Sequence, residues 1–213
     1  AAALERGFPP THVITTSNPY VSSVYRNGSA PYVVENVGDL PPTLTMAEAL
    51  IRSSNTYFVA LQDQLGSVEG PVRTAERMGL FQFNDPGLPQ QIIDENRGSF
   101  TFGPESTSPL ALTSAYSTLA ANGTQCDPTP VTAVLDRNGE PLTGEDGRPV
   151  VTGDACTPDA VPAELAEALA TLDGPVLLVD DLVDSGWTMT LAGRALRRAG
   201  AQGVLPLALA VAG

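Results

Sequence analysis

Residues 44–66 read LTMAEALIRSSNTYFVALQDQLG. Thr45 followed three positions later by Glu48 is a capping box, and it opens a helix through MAEALIRS, residues 46–53. In NTYFVALQDQL, Tyr57, Leu61 and Leu65 recur at i, i+4 and i+8, which places them on one helical face. Gly66 then stands where a left-handed C′ residue ends a helix without steric cost. Two helices are therefore expected, with Ser53 and Ser54 at the break between them.

Working outward, Ser108-Pro109 is an N-cap with proline at the first helical position, and it opens LALTSAYSTLAAN, which stops at Gly123. After it, VTAVLD, the Asn138-Gly139 turn and a return through Pro149-Val150-Val151 are expected to form a hairpin. Residues 11–37 are rich in turn formers and short β-prone runs. This mixture predicts an α+β fold for residues 1–172.

Composition narrows the chemistry. The 213 residues have room for one ordinary domain or two small ones. They carry 24 acidic and 11 basic residues, for a formal charge of −13, and every basic residue is arginine. The absence of lysine removes a Walker-A lysine, any Schiff-base lysine, and both lysines of acyl-transferases that use SxxK and KTG motifs. With His12 as the one histidine, a three-histidine metal centre is impossible. The acidic balance argues against nucleic acid as a partner. No apolar run reaches the roughly 18–20 residues that span a bilayer, so neither an anchor nor a signal peptide is expected in this chain.

The string at 44–66, followed by RMGLF at 77–81 and SPLALTSAYSTLAANGTQCDPTPVTAVLDRNGEP at 108–141, resembles the transpeptidase domain of class A penicillin-binding proteins of actinobacterial type. The resemblance covers residues 1–172. AAALERGFPP at the start is similar to the helix that follows that family's nucleophile motif, and Ser53-Ser54-Asn55 is similar to its SxN motif. The resemblance implies that Ser53 relays protons during acylation and that the Asn55 side chain holds the substrate amide. A hydroxyl can accept and donate a proton, and a carboxamide presents one donor and one acceptor group at a fixed separation. It implies peptidoglycan stem peptides or β-lactams as partners, no cofactor, and an extracytoplasmic setting. Its nucleophilic serine and activating lysine would lie before residue 1, and its KTG strand after Leu172. Acylation by this chain alone is therefore not expected, because a serine without a base is a weak nucleophile.

Cys126 and Cys156 flank the expected hairpin, thirty positions apart. A disulfide suits the setting the resemblance implies, and two free buried thiols are the alternative. His12 reads as a structural or exposed residue.

The tail differs. Residues 173–213 are dominated by Val, Leu, Ala and Gly, and carry 4 acids against 3 arginines. VLLVDDLVDSGWT at 176–188 resembles the phosphoribosyl-pyrophosphate (PRPP) signature of type I phosphoribosyltransferases. A buried strand would deliver Asp180 and Asp181 at its C-terminal end, where open α/β sheets bind ligands. Asp184, Ser185, Gly186 and Thr188 lead into LAGRALRRAG, whose N-terminus would favour a phosphate. With VLPLALAVAG as the next strand, a C-terminal βαβ unit is expected. The resemblance implies PRPP or ribose 5-phosphate as ligand, with Mg²⁺ between the aspartates and the anion. It also implies a cytoplasmic setting, opposite to that of residues 1–172. Three readings stay open: a partial D,D-transpeptidase, a PRPP-binding module, or a join of two fragments with no function as a unit.

Overall fold

The computed structural model describes residues 1–131, 133–145, 147–150, 156–170, 175–180 and 203–208. It divides into two compact units, Ala1–Ser108 and Pro109–Gly213.

In the first unit the elements follow as α1 (Ala2–Glu5), β1 (Val13–Thr15), β2 (Tyr20–Asn27), β3 (Ala30–Val34), β4 (Thr43–Thr45), α2 (Met46–Ile51), α3 (Asn55–Leu65), α4 (Glu69–Arg77) and α5 (Leu88–Asp94), with a 3₁₀ turn at Gly98–Phe102. The strands make two antiparallel pairs, β1 with β4 and β2 with β3. Helix α3 is the centre of this unit. Tyr57, Val59, Ala60, Leu61 and even Thr56 and Gln62 are buried, a wider face than the i, i+4, i+8 spacing predicts. It is enclosed because two cores meet along it. One gathers Ala3, Ile14, Leu44, Ala49, Tyr57, Ala60 and Leu61. The other gathers Tyr25, Val68, Val72, Phe81 and Ile92, and is tied to α3 by the Tyr25 hydroxyl, which donates to the Gln62 carbonyl at 3.3 Å. Its own burial forces Gln62 to find partners. Its Nε2 donates to the Gly98 carbonyl at 3.2 Å, and its Oε1 accepts from the Thr101 hydroxyl.

Asp63 stitches strand to helix. Its carboxylate accepts from the Tyr20 hydroxyl (2.9 Å), the Ser22 hydroxyl (2.6 Å), and the Ser23 backbone N–H (2.8 Å) and hydroxyl (3.1 Å). Burial, aided by the Asp63 hydrogen bond and charge, pushes the Tyr20 phenol up to about 12.

In the second unit, α6 (Pro109–Ala120) begins at the proline the sequence marked, and ends two residues short of Asn122 because Asn122 and Gly123 both take positive φ. Short strands β5 (Gln125–Cys126) and β6 (Cys156–Thr157) pair antiparallel, and α7 (Ala163–Ala170) packs with α6. Cys126 and Cys156 face each other in that pair and are joined by a disulfide. The segment inside the bridge corrects the expected hairpin. The Asp136 carboxylate takes the N–H groups of Asn138 and Glu140, so the chain returns at once and Leu135 pairs with Pro141. A second reversal follows, with Thr143 paired to Pro149. Proline at both return positions removes ladder donors and leaves single bridges instead of strands.

The tail contributes β7 (Pro175–Asp180) and β8 (Gly203–Ala208), paired in parallel from Pro175↔Gly203 to Asp180↔Ala208. The helix expected between them lies outside the described residues. An α+β fold of helices with small antiparallel sheets is thus observed.

Candidate functional site

Ser53, Ser54 and Asn55 occupy three consecutive and different positions at the junction of α2 and α3. Helix α2 starts at the capping box. The Thr45 N–H and hydroxyl bond Glu48 Oε2 at 2.9 and 2.8 Å, and the Glu48 N–H returns to Thr45 Oγ1 at 3.2 Å. These bonds hold the Glu48 carboxyl below its ordinary range. The helix ends earlier than the expected residue 53. The Ser54 N–H reaches the Ala49 carbonyl at 2.9 Å and the Ser53 N–H reaches that of Leu50 at 3.1 Å, the two bonds of a Schellman motif. Ser53 is the C′ residue of that motif, with φ of +51°. This is a place where glycine is usual.

Ser54 is fully enclosed and caps the next helix. Its hydroxyl accepts from the Tyr57 N–H at 3.3 Å and donates to Asn36 Oδ1 at 3.3 Å. Asn55 is the first residue of α3, half-buried, and its Nδ2 donates to the Glu35 carbonyl at 2.8 Å. A carbonyl can only accept, so this bond settles which end of the carboxamide is nitrogen. Oδ1 and the second N–H of Asn55 make no other hydrogen bond among the described residues. The Ser53 side chain is exposed and likewise makes none. The junction therefore presents one hydroxyl and one oriented amide, a few residues from the exposed cation of Arg52. Such a pair can receive a peptide-like amide and pass a proton along a hydroxyl.

A model of the penicillin-binding protein transpeptidase domain matches residues 1–158. The chain belongs to that family. Among curated proteins it is similar to penicillin-binding protein 1A of Mycobacterium tuberculosis (strain ATCC 25618 / H37Rv), with 27% identity over 165 residues, 70% of this chain and 20% of that protein. Among solved structures it is similar to penicillin-binding protein PonA1 from the same organism, with a TM-score of 0.60 at 25% identity, covering 79% of this chain and 42% of that one. The imipenem acyl-enzyme of penicillin-binding protein A from M. tuberculosis shares the fold, with a TM-score of 0.57 at 22% identity, covering 91% of this chain and 41% of that one. The transpeptidase-domain chain thus spans about a fifth of the curated relative's length and about two fifths of the solved ones.

The other residues singled out by sequence fall elsewhere. His12 Nε2 donates to Gln64 Oε1 at 2.8 Å and the ring stacks edge-on against Phe8, away from the junction's hydrogen bonds. Asp180 ends β7. Asp181, Asp184, Ser185, Gly186 and Thr188 lie outside the described residues. Sequence reasoning missed Glu35 and Asn36, which grip Asn55 and Ser54. They lie in VENVGDLPP, residues 34–42, a stretch that reads only as a loop.

The left-handed turn makes a measurable statement. An L-residue at this φ costs about 1–2 kcal/mol relative to the right-handed region. Ser53→Gly is therefore expected to raise stability by about 0.5–1 kcal/mol while deleting the hydroxyl. Urea unfolding followed by circular dichroism checks it. A loss of stability would show that the Ser53 side chain makes a contact worth more than its strain.

Proposed function

We propose that this chain is the SxN-bearing part of a peptidoglycan D,D-transpeptidase domain, with Ser53 as the proton relay and Asn55 as the group that holds the substrate amide. The family match over residues 1–158 supports the assignment. The observation that carries it is the junction itself, where an exposed hydroxyl and a half-satisfied, oriented carboxamide stand side by side. The natural ligands on this reading are stem peptides ending in D-amino acids, and β-lactams that mimic them, in an extracytoplasmic setting. Penicillin-binding protein A of M. tuberculosis has been captured as acyl-enzymes with imipenem and penicillin G.

Covalent turnover needs more than this pair. A serine becomes a competent nucleophile when a neighbouring base takes its proton. The 213 residues contain no lysine, and the single histidine is engaged by Gln64. The chain by itself binds and orients but does not acylate. Fluorescent penicillin should leave no band on a denaturing gel, under conditions that label a complete penicillin-binding protein. Saturation-transfer NMR with penicillin G should still detect non-covalent contact with a Kd on the order of 1 mM, about −4 kcal/mol, and Asn55→Ala should abolish it. A covalent band would overturn the inactivity, and contact unchanged in Asn55→Ala would overturn the site.

A second reading concerns the tail alone. The parallel β7–β8 pair, with Asp180 at a strand's C-terminal end, supports a phosphoribosyltransferase-like βαβ segment that takes PRPP or ribose 5-phosphate with Mg²⁺. On that reading residues 173–213 are a separate segment from 1–172, with a cytoplasmic origin, and the chain is a join of two fragments.

A further inference from the structure

The two residues that sequence reasoning passed over form a clamp whose geometry points at the carboxamide of Asn55. The peptide unit between Glu35 and Asn36 is planar, so its carbonyl and its N–H turn together. The N–H donates to Asn18 Oδ1 at 3.1 Å, and the carbonyl accepts from Asn55 Nδ2 at 2.8 Å. One peptide plane is therefore gripped from the β1–β2 connection on one side and aims its oxygen at the functional amide on the other. The Asn36 side chain fastens the same plane to the start of α3. Its Oδ1 accepts from the Thr56 N–H at 3.1 Å and from the Ser54 hydroxyl at 3.3 Å, and its Nδ2 donates to Thr56 Oγ1 at 3.0 Å. Thr56 Oγ1 is bonded in turn to Thr16 Oγ1 at 2.9 Å, so three chain segments meet on one asparagine.

Resting on the reading of Ser53-Ser54-Asn55 as the substrate-holding loop, we propose that Asn36 is the positioning residue for Asn55. Asn18 assists by fixing the peptide plane through which Asn36 acts. Asn36 touches neither substrate nor reacting atoms in this role. It sets the direction of the carbonyl that consumes one N–H of Asn55, and so decides which donor and acceptor Asn55 presents to an incoming amide. A helix cap alone does not require this arrangement, because Ser54 already caps α3 through the Tyr57 N–H. Hydrogen bonds in such a half-buried network reinforce one another. Removing Asn36 is expected to release the carboxamide of Asn55 to rotate.

The test uses the full chain, labelled with ¹⁵N, and reads the side-chain amide pair of Asn55, identified by its disappearance in Asn55→Ala. With no ligand present, the hydrogen-bonded proton of that pair should exchange with water at least tenfold faster in Asn36→Ala than in the wild-type chain. Its shift should move to the solvent value, with the circular dichroism of the fold retained. In titrations with penicillin G, Asn36→Ala should weaken the non-covalent contact at least threefold. If Asn36→Ala does not fold, Asn18→Ala decides. It removes one exposed partner and should move the same amide pair in the same direction by a smaller amount. An Asn55 pair unchanged in folded Asn36→Ala, or unchanged in Asn18→Ala, overturns the proposal. Because the exchange rate is read without ligand, a wild-type chain that ignores penicillin G would overturn the functional reading while leaving the positioning role decided on its own.

Discussion

Gly123→Ala is expected to destabilise the second unit by about 3 kcal/mol, a large share of the roughly 5–15 kcal/mol that ordinarily holds a domain folded. Gly123 closes α6 with φ of +85°, and a Cβ built there would stand 1.8 Å from the carbonyl oxygen of Val161. Backbone surrounds it on both sides. Its N–H bonds the Thr118 carbonyl at 2.8 Å, and its own carbonyl accepts from the Val161 N–H at 3.2 Å. Val161 is fully buried and leads directly into α7, so it cannot yield without disturbing the packing of α6 with α7. Asparagine, which tolerates left-handed backbone better than alanine, should lose as much, because the obstruction is a carbonyl and not φ alone. Urea unfolding with the Cys126–Cys156 bridge intact checks this. A cost under 1 kcal/mol for Gly123→Ala would mean that the Val161 segment moves freely.

The second large effect belongs to the first unit. Asp63→Ala is expected to cost about 3 kcal/mol, since it strands the buried Ser22 hydroxyl, the Tyr20 phenol and the Ser23 N–H at once. Asp63→Asn should cost roughly half, because one oxygen still accepts and hydroxyls can turn to face an amide. The same variant has a spectroscopic signature. The folded state holds the Tyr20 phenol near 12, above its ordinary value of 10, so its protonated form favours folding. That contribution is present in full below pH 10 and is lost as pH rises through 12. Asp63→Asn removes the charge and weakens the hydrogen bond. The phenolate absorbance of Tyr20 should then appear at lower pH, though burial keeps it above 10. An unshifted titration together with a small stability loss would show that Asp63 is only one of several anchors for β2.

Local rules carried a good part of the fold. The Thr45–Glu48 capping box, Gly66 at φ +83° and Pro109 at the start of α6 are all where short-range chemistry puts them. Each depends on a side chain or a missing Cβ acting within four residues of itself, so no tertiary knowledge is needed. The helix break at Ser53-Ser54 had the same advantage, because it is visible as two caps back to back. Where the sequence reading slipped, the deciding partner was either a proline or a distant residue. The hairpin after Val134 became two short reversals because Asp136 closes the turn with its own carboxylate and Pro141 and Pro149 offer no N–H to a ladder. Helix α2 stopped at Ile51 because Ser53 accepted a conformation that its residue type does not advertise.

By itself, then, the sequence determined the helix boundaries that caps define, the membership of Ser53 and Asn55 in one junction, and the exclusion of any lysine chemistry from these 213 residues. Tertiary structure alone decided which way that junction faces. Asn18, Glu35 and Asn36 lie between 18 and 37 positions from the residues they hold or orient, in stretches whose composition says only turn or loop. Hydrogen bonds of that separation depend on where two strands and a helix come to rest against a shared core, and no periodicity or cap encodes them. The junction could be read from the chain; the hydrogen bonds that hold Asn55 and Ser54 had to be folded to be seen.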